Sequence, residues 1–257
     1  NDYADADADM PQVLLIEDNE ELRAYISSCI QTDYLVSEAA DGEEGIEKAV
    51  KYIPDIIITD VMMPRKDGFE VSRFLKQNEK TNHIPIIILT GKSSQPSRLE
   101  GLQTQADVYL AKPFDADELR LQMSNLLKNR ERMREHYSKK LFLETTQQEI
   151  NSIEEEFLQK AIQVVDENLA DENFSVEQLS KALFMDRTQL FRKLKALTGE
   201  NPSNFIRNLR LKKAKYMLEK AAGTVADIAF AVGFGSTTYF NKCFKELYGE
   251  SPGKIKA

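Results

Sequence analysis

The sequence predicts an α/β fold, a doubly wound five-stranded parallel sheet, followed by an all-α domain with two helix-turn-helix units. Short apolar runs alternate with amphipathic segments over roughly the first 120 residues, and one helical pattern later occurs twice. Charge divides the chain in the same way. Residues 1–127 carry 12 basic and 24 acidic side chains, whereas residues 173–257 carry 15 and 7. The basic part suits a polyanionic partner, although a surface that serves only solubility is the alternative.

Five apolar runs predict the strands Val13–Ile16, Tyr34–Ser37, Asp55–Thr59, Ile86–Leu89 and Val108–Leu110. Helices are expected at Glu20–Gln31, Gly42–Lys51, Gly68–Gln77, near Pro96–Gln103, and from Asp115 or Asp117 onward. Three consecutive isoleucines in the third run are typical of a strand buried on both faces. Such βα units form a parallel sheet, and ligands bind beyond the carboxyl ends of its strands.

The last of these helices continues without proline or glycine to about Lys140. One row of its residues, called the seam below, has alternating spacings of four and three, as in a coiled coil. The seam consists of Leu119, Met123, Leu126, Arg130, Met133 and Tyr137. Arg130 interrupts the seam. An extended, solvated helix is the favoured interpretation, and a coiled-coil or dimer contact is the alternative.

Beyond Glu149 the sequence is helical throughout. The first helix has an apolar face formed by Phe157, Ala161, Val164, Val165 and Leu169. Two later stretches, Ser175–Pro202 and Thr224–Pro252, share a pattern at an offset of 49 or 50 residues, and the one-residue slip falls in a turn. Each stretch is interpreted as a helix, a tight turn and a second helix. A long helix, Pro202–Lys220, is expected to join them.

Composition excludes several classes of protein. Two cysteines, Cys29 and Cys243, cannot form a disulfide framework, and two histidines cannot build a His-rich metal site. No apolar stretch approaches the ~20 residues of a membrane helix, so no direct membrane contact is expected. Residues 1–11 are interpreted as an acidic linker without the features of a secretory signal, which favours a cytoplasmic location. Because the chain starts at Asn1 rather than Met, we expect a piece of a longer protein.

Polar side chains stand where the predicted strands end. Glu17 and Asp18 end the first, Asp60 the third and Thr90 the fourth, and Lys112 follows the fifth. Three carboxylates repel one another unless a cation lies among them, and oxygen ligands without His or Cys favour Mg²⁺. A lysine and a hydroxyl suit phosphoryl oxygens, and a carboxylate held beside them can act as a nucleophile. The alternative interpretation is that these five residues are ordinary polar side chains at strand ends and form no binding site.

Residues 12–127 resemble a response-regulator receiver domain, which has a flavodoxin-like fold. The motifs LLIEDN, DIIITDVMMPRKDG, IIILTG and YLAKPF carry the resemblance. It implies that Asp60 accepts a phosphoryl group from a histidine kinase and that Thr90 and Lys112 hold this group. It also implies a cis peptide bond before Pro113.

The same resemblance assigns the metal ligands and a conformational switch. Asp18, Asp60 and the Met62 carbonyl would bind Mg²⁺, and Glu17 would act mostly through water. Tyr109 matches the switch aromatic. Phosphorylation is therefore expected to change the surface near the fifth strand and to tighten promoter binding, with dimerisation.

Residues 154–257 resemble an AraC/XylS-type DNA-binding domain, and residues 128–153 are interpreted as a helical linker. The motifs are LFRKLKALTGENP, FIRNLRLKKAKYMLEKA and VADIAFAVGFGSTTYFNKCFKELYGESP. The second helix of each helix-turn-helix unit would lie in the DNA major groove, about 34 Å from the other.

Each recognition helix is expected to have one buried and one DNA-facing side. The buried residues are expected to be Leu190, Leu194, Leu197, Phe240, Phe244 and Leu247. The DNA-facing residues are expected to be Arg187, Thr188, Phe191, Arg192, Lys195, Thr237, Thr238, Asn241 and Lys242. The long joining helix offers phosphate contacts through Arg207, Arg210 and Lys212.

Together the two resemblances imply a phosphorylation-controlled transcription regulator of a two-component system. The chain looks most like the C-terminal part of a hybrid regulator, whose full polypeptide would carry histidine kinase activity and could be anchored in a membrane. A free-standing response regulator is the near alternative. The chain itself is expected to perform no chemistry beyond its own phosphorylation.

Two other functions are alternatives. One is a protein-interaction module whose helical domain does not bind DNA. The other is an aspartyl-phosphate phosphohydrolase, which is disfavoured because such enzymes need a second acid two residues after the nucleophile, where Met62 stands.

Overall fold

The computed structural model describes residues 10–91, 105–143 and 152–255. The chain divides into two compact units, with the boundary between Glu135 and His136. A parallel sheet forms the centre of the first unit, and the described part of the second unit is helical. Within the described residues, no helix is both long and apolar enough to cross a bilayer.

The sheet of the first unit has five strands, all parallel, in the order β2-β1-β3-β4-β5. The strands are β1 Gln12–Ile16, β2 Leu35–Ala39, β3 Ile56–Asp60, β4 Ile86–Gly91 and β5 Val108–Lys112. Every residue of the central strand β3 is buried, as its run of isoleucines predicts. The five-stranded parallel sheet expected from the sequence is therefore confirmed.

Three described helices lie within this unit and a fourth begins in it and continues past its boundary: α1 Glu20–Ile30, α2 Gly42–Tyr52, α3 Gly68–Gln77 and α4 Ala116–Leu143. The side chains of Asn19, Asp41 and Asp67 accept hydrogen bonds from the first turns of α1, α2 and α3. Each of these helices therefore starts at a polar residue that follows the preceding strand or loop. The helix expected near Pro96–Gln103 lies outside the described residues.

Apolar side chains cover both faces of the sheet. One core cluster includes Leu14, Ile57 and Val71, and the other includes Val13, Ile58 and Met123. This alternation along the strands is what a sheet covered by helices on both faces requires.

The start of α4 belongs to this core. Leu119 and Met123 are fully buried against the sheet, and Leu126 packs beside them. The Arg130 guanidinium then donates a 2.7 Å hydrogen bond to the Asp55 carbonyl, at the beginning of β3. Met133 is exposed. The first half of the seam is thus explained by packing within the unit, which supports the extended-helix interpretation.

The described part of the second unit contains six α-helices and a final 3₁₀ turn. They are α5 Ile153–Glu167, α6 Val176–Ala182, α7 Arg187–Thr198, α8 Pro202–Glu219, α9 Val225–Ala231, α10 Thr237–Tyr248 and the turn Pro252–Lys254. The pairs α6–α7 and α9–α10 are the two helix-turn-helix units, and α8 joins them as expected.

The two units turn in the same way with different residues. After α6, Phe184 has φ 54°, and Met185 N–H donates to the Ser180 carbonyl. After α9, Gly233 has φ 78°. A left-handed residue at this position ends a helix, and glycine adopts it at the least cost. Phe184 does so with a side chain that is 87% exposed.

One expected core residue is wrong. Leu247 is 37% exposed, whereas Phe240, Cys243 and Phe244 are buried. Tyr248 takes the expected place of Leu247, with its ring centroid 4.7 Å from that of Phe244. The inward face therefore continues from residue 244 to residue 248, a spacing of four, rather than from residue 244 to residue 247, a spacing of three.

Candidate functional site

Four neighbouring strands of the sheet, β1, β3, β4 and β5, bring the residues of the predicted acidic site together. Asp60 ends β3, Lys112 ends β5 and Thr90 lies in the last part of β4, while Glu17 and Asp18 follow β1. Oxygen atoms of the three carboxylates lie within 4.8 Å of one another. Because the strands are parallel, their carboxyl ends meet at one edge of the sheet, as the sequence predicted.

Lys112 neutralises part of this acidic cluster. Its Nζ atom lies 2.9 Å from Glu17 Oε2 and 2.7 Å from Asp60 Oδ1. The lysine therefore bridges two of the three carboxylates, and Asp18 is exposed beside them. The peptide bond between Lys112 and Pro113 is cis, as the resemblance implied.

Burial dominates the electrostatics of Glu17, which is 1% exposed. Burial raises the pKa of Glu17, the hydrogen bond from Lys112 lowers it, and the nearby charge of Asp60 raises it again. The net pKa of this carboxyl is raised.

The carboxylate cluster fits Mg²⁺. All three side chains offer hard oxygen ligands. Two oxygens bound to one Mg²⁺ are at most about 4.2 Å apart, and the oxygens of this cluster lie within 4.8 Å of one another. No thiolate or imidazole belongs to the group. The residues present therefore suit Mg²⁺ rather than a soft transition metal.

Backbone packing fixes the end of β3. A Cβ atom built on Gly68 would lie 2.0 Å from the Asp60 carbonyl oxygen, so only glycine fits there. The Gly68 N–H donates to the Val61 carbonyl, and the Val61 N–H donates to the Leu89 carbonyl. The start of α3 thus lies directly against the residue that carries the central carboxylate.

The other predicted residues of this site occupy different environments. Thr90 is buried at the edge of the sheet, one residue beyond the register partner of Asp60. Met62 follows β3 with its side chain 71% exposed, so its contribution would come from the backbone. Tyr109 is partly buried and packs against the core.

Two residues that support this edge were not predicted. Arg23 on α1 donates a 2.8 Å hydrogen bond to the Glu17 carbonyl and pairs with Glu38. Arg65, in the loop after β3, contacts the buried carboxylate of Asp41 and has φ 69°. The Arg23–Glu38 and Arg65–Asp41 contacts join residues 15 and 24 positions apart, so no local pattern indicates them.

The first recognition helix, α7, has the two sides expected of it. Leu190, Leu194 and Leu197 are buried. The predicted DNA-facing residues are exposed, or partly exposed in the case of Arg192: Arg187, Thr188, Phe191, Arg192 and Lys195. The outer face of α7 is therefore basic and carries one aromatic ring.

One cation of α7 lies inside the domain. Lys193 is fully buried, with Nζ 4.3 Å from the centroid of the Phe157 ring on α5. This cation–π contact gives the buried ammonium a favourable environment. The sequence did not distinguish Lys193 from its exposed neighbours.

The second recognition helix, α10, presents a smaller set of polar groups. Thr238, Asn241 and Lys242 are exposed and Thr237 is partly exposed. The Lys242 ammonium lies 4.0 Å from Glu246 Oε1, so part of its charge is compensated. This face is less basic than that of α7.

The three basic residues expected to contact phosphates on α8 differ in environment. Arg210 is buried and donates a 2.5 Å hydrogen bond to the Asp171 carbonyl, which makes it a structural residue rather than a phosphate contact. Burial lowers the pKa of Lys212, and Asp166 opposes this effect. Arg207 is partly exposed. The expectation for Arg210 was wrong because the turn beside Gly233 packs over its guanidinium.

These features define two classes of domain in one chain. A doubly wound parallel sheet with an acid cluster and a lysine at its carboxyl edge is the architecture of a receiver domain. Paired helix-turn-helix units with basic outer faces are the architecture of a DNA-binding domain.

Comparison with known families agrees with both assignments. Residues 13–124 match the response regulator receiver domain, and residues 179–257 match a helix-turn-helix domain. The chain thus joins a response regulator receiver domain to an AraC-type helix-turn-helix domain.

Similar proteins cover different parts of this chain. Histidine kinase P4 of Formosa agariphila is 38% identical over 244 residues, 95% of this chain and 18% of that protein. The DNA-binding dual master transcriptional regulator RpaA of Synechocystis is 35% identical over 125 residues, 48% of this chain and 52% of its own length. The chain therefore spans 18% of the first relative and about half of the second.

Among solved structures, the receiver domain of a Pseudomonas aeruginosa sensor histidine kinase is 31% identical, with a TM-score of 0.44. The match covers 46% of this chain and 98% of that domain, which was crystallised with a magnesium ion in its active-site cleft.

Proposed function

We propose that this chain is the receiver and output part of a two-component transcription regulator, controlled by phosphorylation of Asp60. The observation that carries the proposal is the position of Lys112, which bridges Asp60 and the buried Glu17 at the carboxyl edge of the sheet. The carboxylate cluster and the basic helix-turn-helix faces give the chain an input site and an output surface.

Phosphorylation needs a nucleophile and groups that hold the transferred phosphoryl group. A carboxylate oxygen of Asp60 forms a bond to phosphorus, while the bond from phosphorus to the imidazole nitrogen of a kinase breaks and its electron pair stays on that nitrogen. Lys112 already contacts Asp60 and provides positive charge, and Thr90 would donate a hydrogen bond. Glu17, Asp18, Asp60 and the Met62 carbonyl would hold Mg²⁺, which, when bound, neutralises charge on the phosphoryl oxygens.

Acetyl phosphate with Mg²⁺ tests this chemistry without a kinase. Intact-mass measurement should show a single phosphoryl adduct on the parent and none on Asp60→Asn. Asp115→Asn is the matched control, because this exposed acid lies beyond the site and its removal should leave the yield unchanged. An adduct of equal yield in Asp60→Asn would contradict the assignment.

The output is proposed to be sequence-specific binding to promoter DNA. Arg187, Arg192 and Lys195 suit guanine edges and phosphates, Thr188 and Phe191 suit thymine methyl groups, and Asn241 suits adenine. Thr237, Thr238 and Lys242 complete the second surface, and Arg207 would contact a phosphate. Arg192→Ala and Lys242→Ala should each weaken promoter binding by roughly 1–3 kcal/mol if they contact bases.

Binding to promoter DNA also separates this function from its alternative, a protein-interaction module. The parent should bind its promoter with a steep salt dependence, because phosphate contacts release counterions. A gel-shift on genomic fragments that detects no specific complex, with or without phosphorylation, would favour the protein-interaction module.

The two halves are proposed to communicate through Tyr109 on β5. A phosphoryl group on Asp60 would draw Thr90 toward it and allow the partly buried Tyr109 ring to turn inward, which would change the outer surface of β5 and α4. We expect tighter promoter binding and dimerisation on addition of beryllofluoride, a phosphoryl analogue. Tyr109→Ala should remove both responses and leave the phosphorylation of Asp60 intact. Equal promoter affinity and sedimentation mass of the parent in both states would contradict this coupling.

The kinase is proposed to be a histidine kinase, either in the same polypeptide or separate. The Formosa agariphila relative is named a histidine kinase and contains a region similar to nearly all of this chain. A longer polypeptide of this kind would place the chain on the cytoplasmic side of a membrane-anchored sensor.

A further inference from the structure

The joining helix α8 belongs to two separate apolar cores of the second unit. Its first half, with Phe205 and Leu209, packs in the core that contains α5, α6 and α7. Its second half, with Leu211 and Leu218, packs in the core that contains α9 and α10. The two recognition helices therefore lie in different cores, and the change from one core to the other falls at Arg210.

Arg210 contacts the loop between α5 and α6, residues 168–174. Its side chain is buried, and its Nη2 atom donates a 2.5 Å hydrogen bond to the Asp171 carbonyl. Phe174, at the end of this loop, is buried in the first core. Leu169, at its other end, packs against the second core. The loop therefore connects the two cores at a second place besides α8.

The turn of the second helix-turn-helix unit packs against the same loop. A Cβ atom built on Gly233 would overlap the Leu169 carbonyl oxygen and would lie 3.0 Å from Arg210 Cζ. A Cβ atom built on Gly235 would lie 2.7 Å from Glu172 Oε2. The backbone of this turn therefore lies directly against the loop and the guanidinium. Arg210, residues 169–172 and residues 233–235 are called the junction below.

The internal repeat shows that this close approach is not a property of the turn itself. Phe184 occupies the position of Gly233 at an offset of 49 residues, and its side chain is 87% exposed. Both residues have a left-handed backbone, with φ 54° and 78°. The same turn thus accepts a large side chain where its outer surface is exposed. The lack of space at Gly233 comes from the junction.

We propose that Arg210 is a positioning residue that fixes the second helix-turn-helix unit relative to the first, and thereby sets the spacing of the two DNA segments that the chain reads. This inference rests on the proposed function of the second unit as a DNA-binding domain. Connections at two places, α8 and the junction, restrict rotation of one core about the other. One additional base pair between the segments would shift the second segment by about 3.4 Å and turn it by about 35°. Two recognition helices held at a fixed separation cannot follow this change unless the DNA is deformed.

The environment of Arg210 allows a positioning role to be separated from a role in stability. Its Nε atom is buried and has no hydrogen-bond partner among the described residues. Replacing a buried, incompletely paired charge by an apolar side chain of similar size is often neutral or stabilising. The Asp171 carbonyl also accepts a 3.1 Å hydrogen bond from the Phe174 N–H, so it keeps a donor without the arginine. Arg210→Met should therefore preserve the fold and remove the hydrogen bond that joins α8 to the loop.

The experiment measures how strictly the 257-residue chain requires one spacing. The parent first selects a duplex from a random-sequence DNA library, and hydroxyl-radical footprinting locates the two segments that it contacts. Affinity is then measured for this duplex and for duplexes with one base pair inserted or removed between the segments. The parent should bind the altered duplexes roughly tenfold less tightly, because they must be twisted to fit. Arg210→Met should bind the selected duplex nearly as tightly as the parent and discriminate among the spacings by no more than about threefold.

The two equivalent turns supply matched variants. Gly233→Ala places a Cβ atom against Arg210 and the Leu169 carbonyl, so it should relax the spacing requirement as Arg210→Met does. Phe184→Ala changes the corresponding exposed turn and should leave the spacing requirement of the parent intact. The proposal is overturned if Arg210→Met discriminates among the spacings as strictly as the parent. It is also overturned if Arg210→Met loses the same fraction of its affinity for every duplex, because that result indicates a structural role alone.

A second readout needs no DNA. Spin labels on Thr188→Cys and Thr238→Cys, at exposed positions of α7 and α10, report the distance between the recognition helices by pulsed electron paramagnetic resonance. Cys29 is replaced by serine in this protein, and Cys243 is buried and protected from the label. The distribution of distances should be narrow with Arg210 and broader with Arg210→Met, and equal widths would overturn the proposal. A parent that selects no DNA would contradict the proposed function, whereas these distances would still decide whether Arg210 fixes the two helix-turn-helix units.

Discussion

Replacing Lys112 by methionine tests the electrostatic balance of the acidic cluster. The ammonium lies 2.9 Å from Glu17 and 2.7 Å from Asp60. At an effective dielectric constant of about 20, each contact corresponds to roughly 6 kcal/mol of Coulomb attraction before desolvation is subtracted. Breaking a buried ion pair costs about 3–5 kcal/mol in practice, and the lower end applies here because the Lys112 side chain is 23% exposed.

Mg²⁺ should recover much of this loss. In the parent, Mg²⁺ competes with the lysine for the same carboxylates, whereas in Lys112→Met it finds them uncompensated. We expect the variant to bind Mg²⁺ roughly tenfold more tightly, which corresponds to about 1.4 kcal/mol. Urea unfolding followed by circular dichroism, in EDTA and in excess Mg²⁺, measures both effects. Mg²⁺ should raise the unfolding free energy of the variant by more than that of the parent.

Lys76→Met is the matched control. Lys76 also pairs with a carboxylate at 2.7 Å, that of Asp107, which lies at the start of β5 rather than at its end. Its removal should destabilise the unit without changing the response to Mg²⁺. If Mg²⁺ stabilises the parent and Lys112→Met by the same amount, Lys112 does not neutralise the carboxylate cluster, and the electrostatic reasoning fails.

Three further predictions concern the backbone and pH. Gly68→Ala should destabilise the first unit by roughly 1–3 kcal/mol in urea unfolding, and lower the yield of phosphorylated Asp60, because its Cβ meets that backbone at 2.0 Å. Phe184→Gly should stabilise the second unit by up to about 1 kcal/mol by relieving a left-handed φ, and Gly233→Ala, measured in parallel, should destabilise it. Burial raises the folded-state pKa of Glu200 above 4.5, so the stability that this group contributes is fully present below pH 4.5 and is lost as pH rises through the raised pKa. Glu200→Gln should therefore unfold at a higher urea concentration than the parent at pH 7. Equal stability of the two proteins at pH 7 would contradict a raised pKa.

The sequence predicted the position of the carboxylate cluster well because its residues lie at the ends of regular strands. Apolar runs fix the strands, and the carboxyl end of each parallel strand must lie at the same edge, so Asp60 and Lys112 could be placed together without coordinates. The cis bond before Pro113 followed from the family resemblance alone.

The helical unit was predicted less completely, because helix periodicity does not decide which of two neighbouring residues is buried. Leu247 and Tyr248 both extend the apolar face of α10, and packing against Phe244 selects the tyrosine. Arg210 looks like a surface cation in the sequence, and only the backbone of another loop shows that it is buried. The hydrogen bond from Asn208 Nδ2 on α8 to Glu200 Oε1, before the start of that helix, is likewise not encoded by any residue pattern.

Strand β3 connects two events that would otherwise be unrelated. Asp60 ends the strand, and the carbonyl of Asp55, just before its first residue, accepts the hydrogen bond that anchors α4 through Arg130. Five residues of extended chain separate the two points, a span of about 16 Å. Helix α4, which continues beyond the first unit, is thus attached to the strand that ends at the proposed phosphorylation site. A substitution that bends or shortens β3 would change the position of Asp60 and the attachment of α4 together. Variants of β3 therefore cannot separate an effect on Asp60 from an effect on α4.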